Sequence, residues 1–129
     1  MTFLFDTSTW IRTLWGSHRL SSGIRDLFAE RERHVFYLSA ASAWEIAIKS
    51  SLGRLDLPGR AAEIVPDALM KQGIQSLPIA NRHALAVADL PFHHADPFDR
   101  LLIAQAQTED LTILTSDREF RRYDVRIMW

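Results

Sequence analysis

The stretch Asp96-Pro97-Phe98-Asp99-Arg100-Leu101-Leu102-Ile103-Ala104-Gln105-Ala106-Gln107-Thr108-Glu109-Asp110-Leu111-Thr112-Ile113-Leu114-Thr115-Ser116-Asp117 decides how this chain is built. Asp96, Pro97 and Asp99 fit the N-cap, N1 and N3 positions of a helix start, where a carboxylate can take free N–H groups and proline loses no hydrogen bond. Leu102, Ile103 and Ala106 follow Asp99 by three, four and seven residues and so share its face. The spacing predicts a helix over 97–109 with that apolar face packed on a sheet and Asp99 at the sheet's rim. Residues 111–115 read as a short buried strand, which the polar triplet Thr115-Ser116-Asp117 ends.

The same alternation runs through the rest of the chain. Thr2-Phe3-Leu4-Phe5 reads as a buried strand closed by Asp6, and Thr7-Ser8 begins a helix over 8–15 carrying Trp10, Ile11, Leu14 and Trp15. Ser21 or Ser22 can cap a second helix reaching about residue 32, with Ile24, Leu27 and Phe28 apolar. Residues 35–38 form a strand, and Ser39 is an N-cap for a helix from Ala40 to about Leu52, stopped by Gly53. Leu57-Pro58-Gly59 is a turn, 60–72 a helix ending at Gly73, and 74–79 a weaker strand interrupted by Pro78. Residues 80–89 read as helix, 118–122 as a short helix and 125–128 as a last strand. Strands alternating with helices predict an α/β fold, with a parallel β-sheet, helices on both faces and right-handed crossovers. No repeat, low-complexity segment or linker divides residues 1–129, so a single domain is expected.

Composition narrows the function classes. Of 129 residues, 47% are hydrophobic and 24% charged, the balance of a folded globular domain. The net charge of -1 supplies no global basic field for nucleic acid, although a cluster of carboxylates would mask a local basic surface. Lysine occurs only at 49 and 71, so nearly all cations are arginines, which suit bidentate contacts to phosphate. Without cysteine there are no disulfides, thiolate metal sites or thiol nucleophiles. The N-terminal apolar stretch is broken by Asp6 and lacks a basic lead-in, so it reads as neither signal peptide nor membrane span, and a cytoplasmic protein is the default.

Four acids stand where chemistry is expected. In an open parallel sheet, ligands gather beyond the carboxyl ends of the strands. Asp6 and Asp117 follow two strands, Glu45 lies in the helix after a third, and Asp99 opens the helix that leads into the strand Asp117 follows. Converging carboxylates repel unless they share protons or a cation, so the pattern suggests a divalent metal site. Each acid also has a plainer explanation. Asp6 and Asp117 could cap the helices that follow them, and Glu45 could form an i,i+4 pair with Lys49 worth a few tenths of a kcal/mol. Glu45 is nonetheless the only charge in an apolar run from Ala40 to Ile48, which favours the site. Between Asp96 and Asp99, the first is assigned to the cap and the second to the site. His93 and His94 cannot share a helix face and are read as surface histidines, while the four tryptophans are read as core or subunit contacts. Gly-rich phosphate loops and a Gly-x-Ser-x-Gly elbow are both missing.

Leu4-Phe5-Asp6-Thr7-Ser8, Ser39 to Lys49, Asp96 to Ala106 and Thr112 to Asp117 resemble, in order, the successive motifs of PIN domains, and most closely those of VapC-type toxins of type II toxin–antitoxin systems. The resemblance implies a metal-dependent endoribonuclease in which Asp6, Glu45, Asp99 and Asp117 bind Mg²⁺ or Mn²⁺ and act in cleavage of RNA. It also implies a homodimer and a small antitoxin protein that occludes the cleft. Such ions prefer oxygen ligands and can activate water in phosphodiester hydrolysis. Ser8 and Thr115 beside these acids, and Arg100, Arg118, Arg121 and Arg122 flanking them in sequence, are the expected substrate contacts. Two other readings compete: a catalytically silent RNA- or protein-binding module, and a phosphohydrolase with an aspartyl nucleophile. The latter usually needs a second acid two residues after the first, where Ser8 stands.

Overall fold

The computed structural model describes residues 1–129, apart from the side chain of Ser17. Strand β1 (Thr2–Phe5) runs into helix α1 (Thr7–Thr13), and α2 (Ser22–Ala29) leads to β2 (Val35–Ser39). Helices α3 (Ala40–Ser51) and α4 (Ala61–Gln72) precede β3 (Gln75–Leu77). Next come α5 (Asn81–Ala86), α6 (Pro97–Glu109), β4 (Thr112–Leu114) and β5 (Ile127–Met128). The five strands form one parallel sheet in the order β3-β2-β1-β4-β5.

The expected elements are all present, with tighter ends. The helix expected to reach residue 32 stops at Ala29 and gives way to a 3-10 turn, Arg31–Arg33. The helix expected over 80–89 divides into α5 and a 3-10 turn, Val87–Asp89, and the expected helix 118–122 is itself 3-10. Side-chain caps set several starts: Ser21 accepts from Ile24 N, Ser39 from Ala41 N, and Asp96 from Phe98 N and Asp99 N. Gly73, at φ 68, ends α4 in the left-handed conformation that favours glycine.

Because strands of a parallel sheet are covered on both faces, their side chains need not alternate between apolar and polar. Phe3, Phe5, Phe36, Leu38 and Leu114 pack on one face with Trp10, Ile24, Ile46, Val65 and Leu69. Leu4 and Ile113 point the other way, into a core built with Leu102, Ile103, Ala106 and Phe120. The stripe from Leu102 to Ala106 therefore lies on the sheet as its spacing predicts. The tryptophans divide: Trp10 is fully buried in the first core, whereas Trp15, Trp44 and Trp129 are exposed.

Chain order reverses at β1, with β2 and β3 laid down on one side and β4 and β5 on the other. The crevice between β1 and β4, at their carboxyl ends, is the topological switch point where such folds place ligands. Register pairs Phe5 with Leu114 at that edge, so Asp6 and Thr115 emerge side by side.

Candidate active site

Asp6, Thr7, Ser8, Ile11, Glu45, Lys49, Asp96, Asp99 and Asp117 line one cleft of about 170 Å³. All four predicted acids are brought together there. Asp96 joins them: its Oδ1 caps α6 through Phe98 N at 2.9 Å and Asp99 N at 3.2 Å, while the residue also lines the cleft. The assignment of Asp96 to the cap alone is thus too narrow. Wider grooves lie elsewhere, one of about 390 Å³ between α2 and α4 among them. The acid cleft is smaller than the roughly 300 Å³ from which small-molecule pockets begin. It has room for ions, waters and a phosphate, with the rest of a polymer lying outside.

Asp6 is buried and held from several sides. Its Oδ1 accepts from Thr9 N at 2.7 Å and Ser8 Oγ at 3.2 Å, and its Oδ2 accepts from the Thr115 hydroxyl. Thr115 Oγ1 in turn accepts from Asp117 N at 3.0 Å, which ties β1 to the turn after β4. Of the two small hydroxyls expected at the site, Ser8 lines the cleft and Thr115 lies behind it, both donating to Asp6. Thr115, however, is 2% exposed and spends its hydroxyl on Asp6, so it positions the acid where contact with a substrate was expected.

Glu45 satisfies both of its readings. Lys49 Nζ donates to its Oε2 at 2.6 Å as an i,i+4 pair, yet Glu45 is buried and lines the cleft. Its Oε1 is buried with no hydrogen-bond partner. The hydrogen bond that Lys49 donates to Glu45 raises the Lys49 pKa, as do the charges of Glu45, Asp96 and Asp99, against the opposing effect of burial. Among the described residues Lys49 is the one cation lining the cleft, although its spacing from Glu45 alone suggests only a helix-surface pair.

Asp99 carries the clearest electrostatic signature. Burial, followed by the charges of Asp96, Asp6, Glu45 and Asp117, pushes its carboxyl up to about 8 from 3.8. Asp117 is exposed at the rim and caps the 3-10 turn Arg118–Arg122 by accepting from Glu119 N at 2.9 Å.

A divalent cation fits this donor set. Oxygen is the only hard donor presented, one buried carboxylate oxygen lacks a partner, and burial together with the neighbouring acids raises the Asp99 pKa, a crowding that a cation would counter. Among the described residues, no three acidic or histidine side chains close on one point as a ready-made cage. Mg²⁺ accommodates that, since it keeps several waters and needs only one or two direct carboxylates.

The arginines separate. Arg100, an expected phosphate contact, is buried and faces away from the cleft. Its guanidinium donates to Pro91 O at 2.9 Å, Val87 O at 3.3 Å and Tyr123 Oη at 3.3 Å, with the Phe92 ring over it. The physical reason is its helix position, one residue and hence about 100° round from Asp99. Arg122 is engaged with His93 O and Glu119. Arg118 and Arg121 are exposed on the turn that Asp117 caps, outside the cleft lining.

His94 is not the surface residue that its sequence context suggests. Its side chain is 16% exposed, and Nε2 lies 3.5 Å from Asp99 Oδ2. Nothing local signals this, because its position depends on Tyr123, 29 residues further on.

The PIN domain model matches residues 3–126. The chain belongs to the PIN-domain family. Over 51 residues it is 45% identical to Ribonuclease VapC16 of Mycobacterium tuberculosis (strain ATCC 25618 / H37Rv), a stretch that takes in 40% of this chain and 36% of that protein's length. VapBC2 from Rickettsia felis, solved bound to a DNA fragment from its promoter, contains a chain of the same fold. The TM-score is 0.76 at 13% identity, over 100% of this chain and 99% of that one. DNA-bound VapBC from Salmonella typhimurium gives 0.74 at 19% identity, over 99% and 97% of the two chains. FitAcB from Neisseria gonorrhoeae gives 0.66 at 21%, over 98% and 96%.

Proposed function

We propose that this PIN domain is a metal-dependent endoribonuclease, the toxin of a type II toxin–antitoxin pair of the VapC kind. The observation that carries the reading is the convergence of Asp6, Glu45, Asp99 and Asp117 on one small cleft at the switch point of the sheet. Identity to a ribonuclease over part of the chain supports the reaction class. Asp6, Glu45 and Asp99 would hold Mg²⁺ or Mn²⁺, with Asp117 at the rim. When bound, such an ion activates water and stabilises the leaving oxygen of a phosphodiester.

The chain's own residues do the rest. Thr115, Ser8 and the Thr9 amide fix the Asp6 carboxylate before substrate arrives. Lys49 neutralises one oxygen of Glu45 and leaves the other facing inward. Arg118 and Arg121, exposed on the turn that Asp117 caps, would meet phosphates of the substrate outside the cleft. No side-chain nucleophile is needed.

RNA as substrate, a homodimer, a small antitoxin partner and a cytoplasmic location belong to the same reading. Fold relatives solved as DNA-bound VapBC assemblies are consistent with an antitoxin partner. Among the described residues, no helix is long and apolar enough to cross a membrane. The test is cleavage of a single-stranded RNA by the purified chain with Mg²⁺ or Mn²⁺, with EDTA, and with Asp6→Asn. Cleavage by the metal-supplied wild type alone supports the reading. Metal-independent cleavage, or full activity of Asp6→Asn, overturns it, and RNA binding without cleavage would mark a silent module.

A further inference from the structure

Proton accounting around Tyr123 gives His94 a role. The Tyr123 side chain is buried, and its Oη is met by three groups that can only donate: the backbone N–H of His93 at 3.3 Å, that of His94 at 3.2 Å and Arg100 Nη1 at 3.3 Å. The phenol's own proton therefore needs an acceptor, and His94 Nδ1 lies 2.8 Å away. In a neutral imidazole, one nitrogen accepts and the other carries the proton. Since Nδ1 accepts from Tyr123, the proton is on Nε2. That atom is buried and has no hydrogen-bond partner, and the carboxyl oxygen it faces is Asp99 Oδ2, at 3.5 Å.

We propose that His94 is a positioning residue for Asp99, donating Nε2–H to Oδ2 so that the carboxylate is held with its other oxygen toward the cleft. The inference rests on the metal-site reading of the acids. A small rotation of the ring or the carboxylate closes the gap to hydrogen-bond length, as is common for site contacts that tighten only when loaded. The same accounting removes His94 as a direct metal ligand, because its free lone pair is already spent on Tyr123. Arg100 acquires a purpose here. Its guanidinium anchors Tyr123, Tyr123 sets the tautomer of His94, and His94 orients Asp99.

Two measurements on the full chain test this. In the metal-free protein, imidazole nitrogen NMR should show His94 as the Nε2–H tautomer. The Nδ1–H tautomer overturns the proposal. In Mn²⁺ titrations followed by electron paramagnetic resonance, His94→Leu should bind about 10- to 100-fold more weakly than wild type. His94→Gln, whose amide can still donate, should recover most of that affinity. Equal affinity of His94→Leu and wild type overturns the inference. So does equal loss in His94→Gln and His94→Leu, which would mark simple packing. If His94→Leu does not fold, Tyr123→Phe takes its place: it should lose the single tautomer and weaken Mn²⁺ binding, and no change overturns the proposal. A wild type that binds no Mn²⁺ overturns the metal-site reading itself, an outcome separate from a wild type that binds while every variant binds equally well.

Discussion

Replacing Asp99 by asparagine should abolish cleavage while stabilising the metal-free protein, and the stabilisation should grow with pH. Burial and the four acids around it push the Asp99 carboxyl up to about 8, against an ordinary value of 3.8. Between those values the folded protein keeps a proton that the unfolded chain has released, so wild-type stability falls as pH rises. The penalty begins above the unfolded value and stops growing once pH passes the folded one. One proton is worth about 1.36 kcal/mol per pH unit, so moving from about pH 5.5 to about pH 7.5 removes up to ~2.7 kcal/mol. Asparagine stands in for the protonated acid and should lack this slope. In a domain of this size 1 kcal/mol moves Tm by about 3–5 °C, so the gap between mutant and wild type should widen by up to roughly 8–14 °C over that interval. Thermal melts in EDTA at several pH values read the effect, with RNA cleavage in Mn²⁺ measured alongside. Parallel melting curves would show that Asp99 is not crowded by its neighbours, and a mutant that still cleaves would remove it from the site.

Four further outcomes follow from the geometry. Thr115→Val deprives the buried Asp6 carboxylate of a donor, so it should cost about 1–3 kcal/mol in denaturant melts and lower RNA cleavage as well. Asp96→Ala removes the α6 cap and should cost roughly 0.5–2 kcal/mol, measured at about pH 5.5 where the crowding of Asp99 counts least. A double replacement, Arg118→Ala with Arg121→Ala, should leave melting unchanged and reduce the salt slope of RNA binding by about 0.7 for each phosphate left without its arginine. By contrast, Arg100→Ala should destabilise the fold by roughly 1–3 kcal/mol, because Pro91 O and Val87 O lose their donor.

Much of this molecule is legible from local spacing. The period of Leu102, Ile103 and Ala106 gives α6 and its buried face, and the cap residues at Ser39 and Asp96 give helix starts that the structure keeps. The convergence of the acids follows once the sheet is parallel, because its strands then end on one edge and residues far apart in sequence meet there. Adjacency in sequence misleads for Arg100, where one step along a helix turns the side chain from the cleft into the interior. Trp44 and Trp10 show the same dependence on face: one is 58% exposed and the other is fully buried. His94 lies beyond reach for a different reason. Its orientation is fixed by a phenol across the fold, and no periodic pattern encodes a contact of that kind.

The crowding at the acids also explains why the scaffold beneath them is built as it is. Burial and the acids crowded around Asp99, in a cleft lined by one lysine, work against folding above the ordinary titration range of that carboxyl, and that opposition must be offset elsewhere. β1 supplies the support: Phe3, Leu4 and Phe5 are all fully buried, sending side chains into both cores directly below Asp6. The Thr115 hydroxyl then locks the end of β4 to the same aspartate, so the acids cannot relieve their repulsion by spreading apart. Repulsion held in place by a rigid strand pair can be relieved by taking up protons or a cation. A divalent ion present at about 100 times its Kd would stabilise the folded state by about 2.7 kcal/mol, comparable to the pH penalty worked out for Asp99. Metal loading and acid protonation therefore compete for the same electrostatic free energy, and the metal-induced rise in Tm should shrink as pH is lowered toward about 5.5.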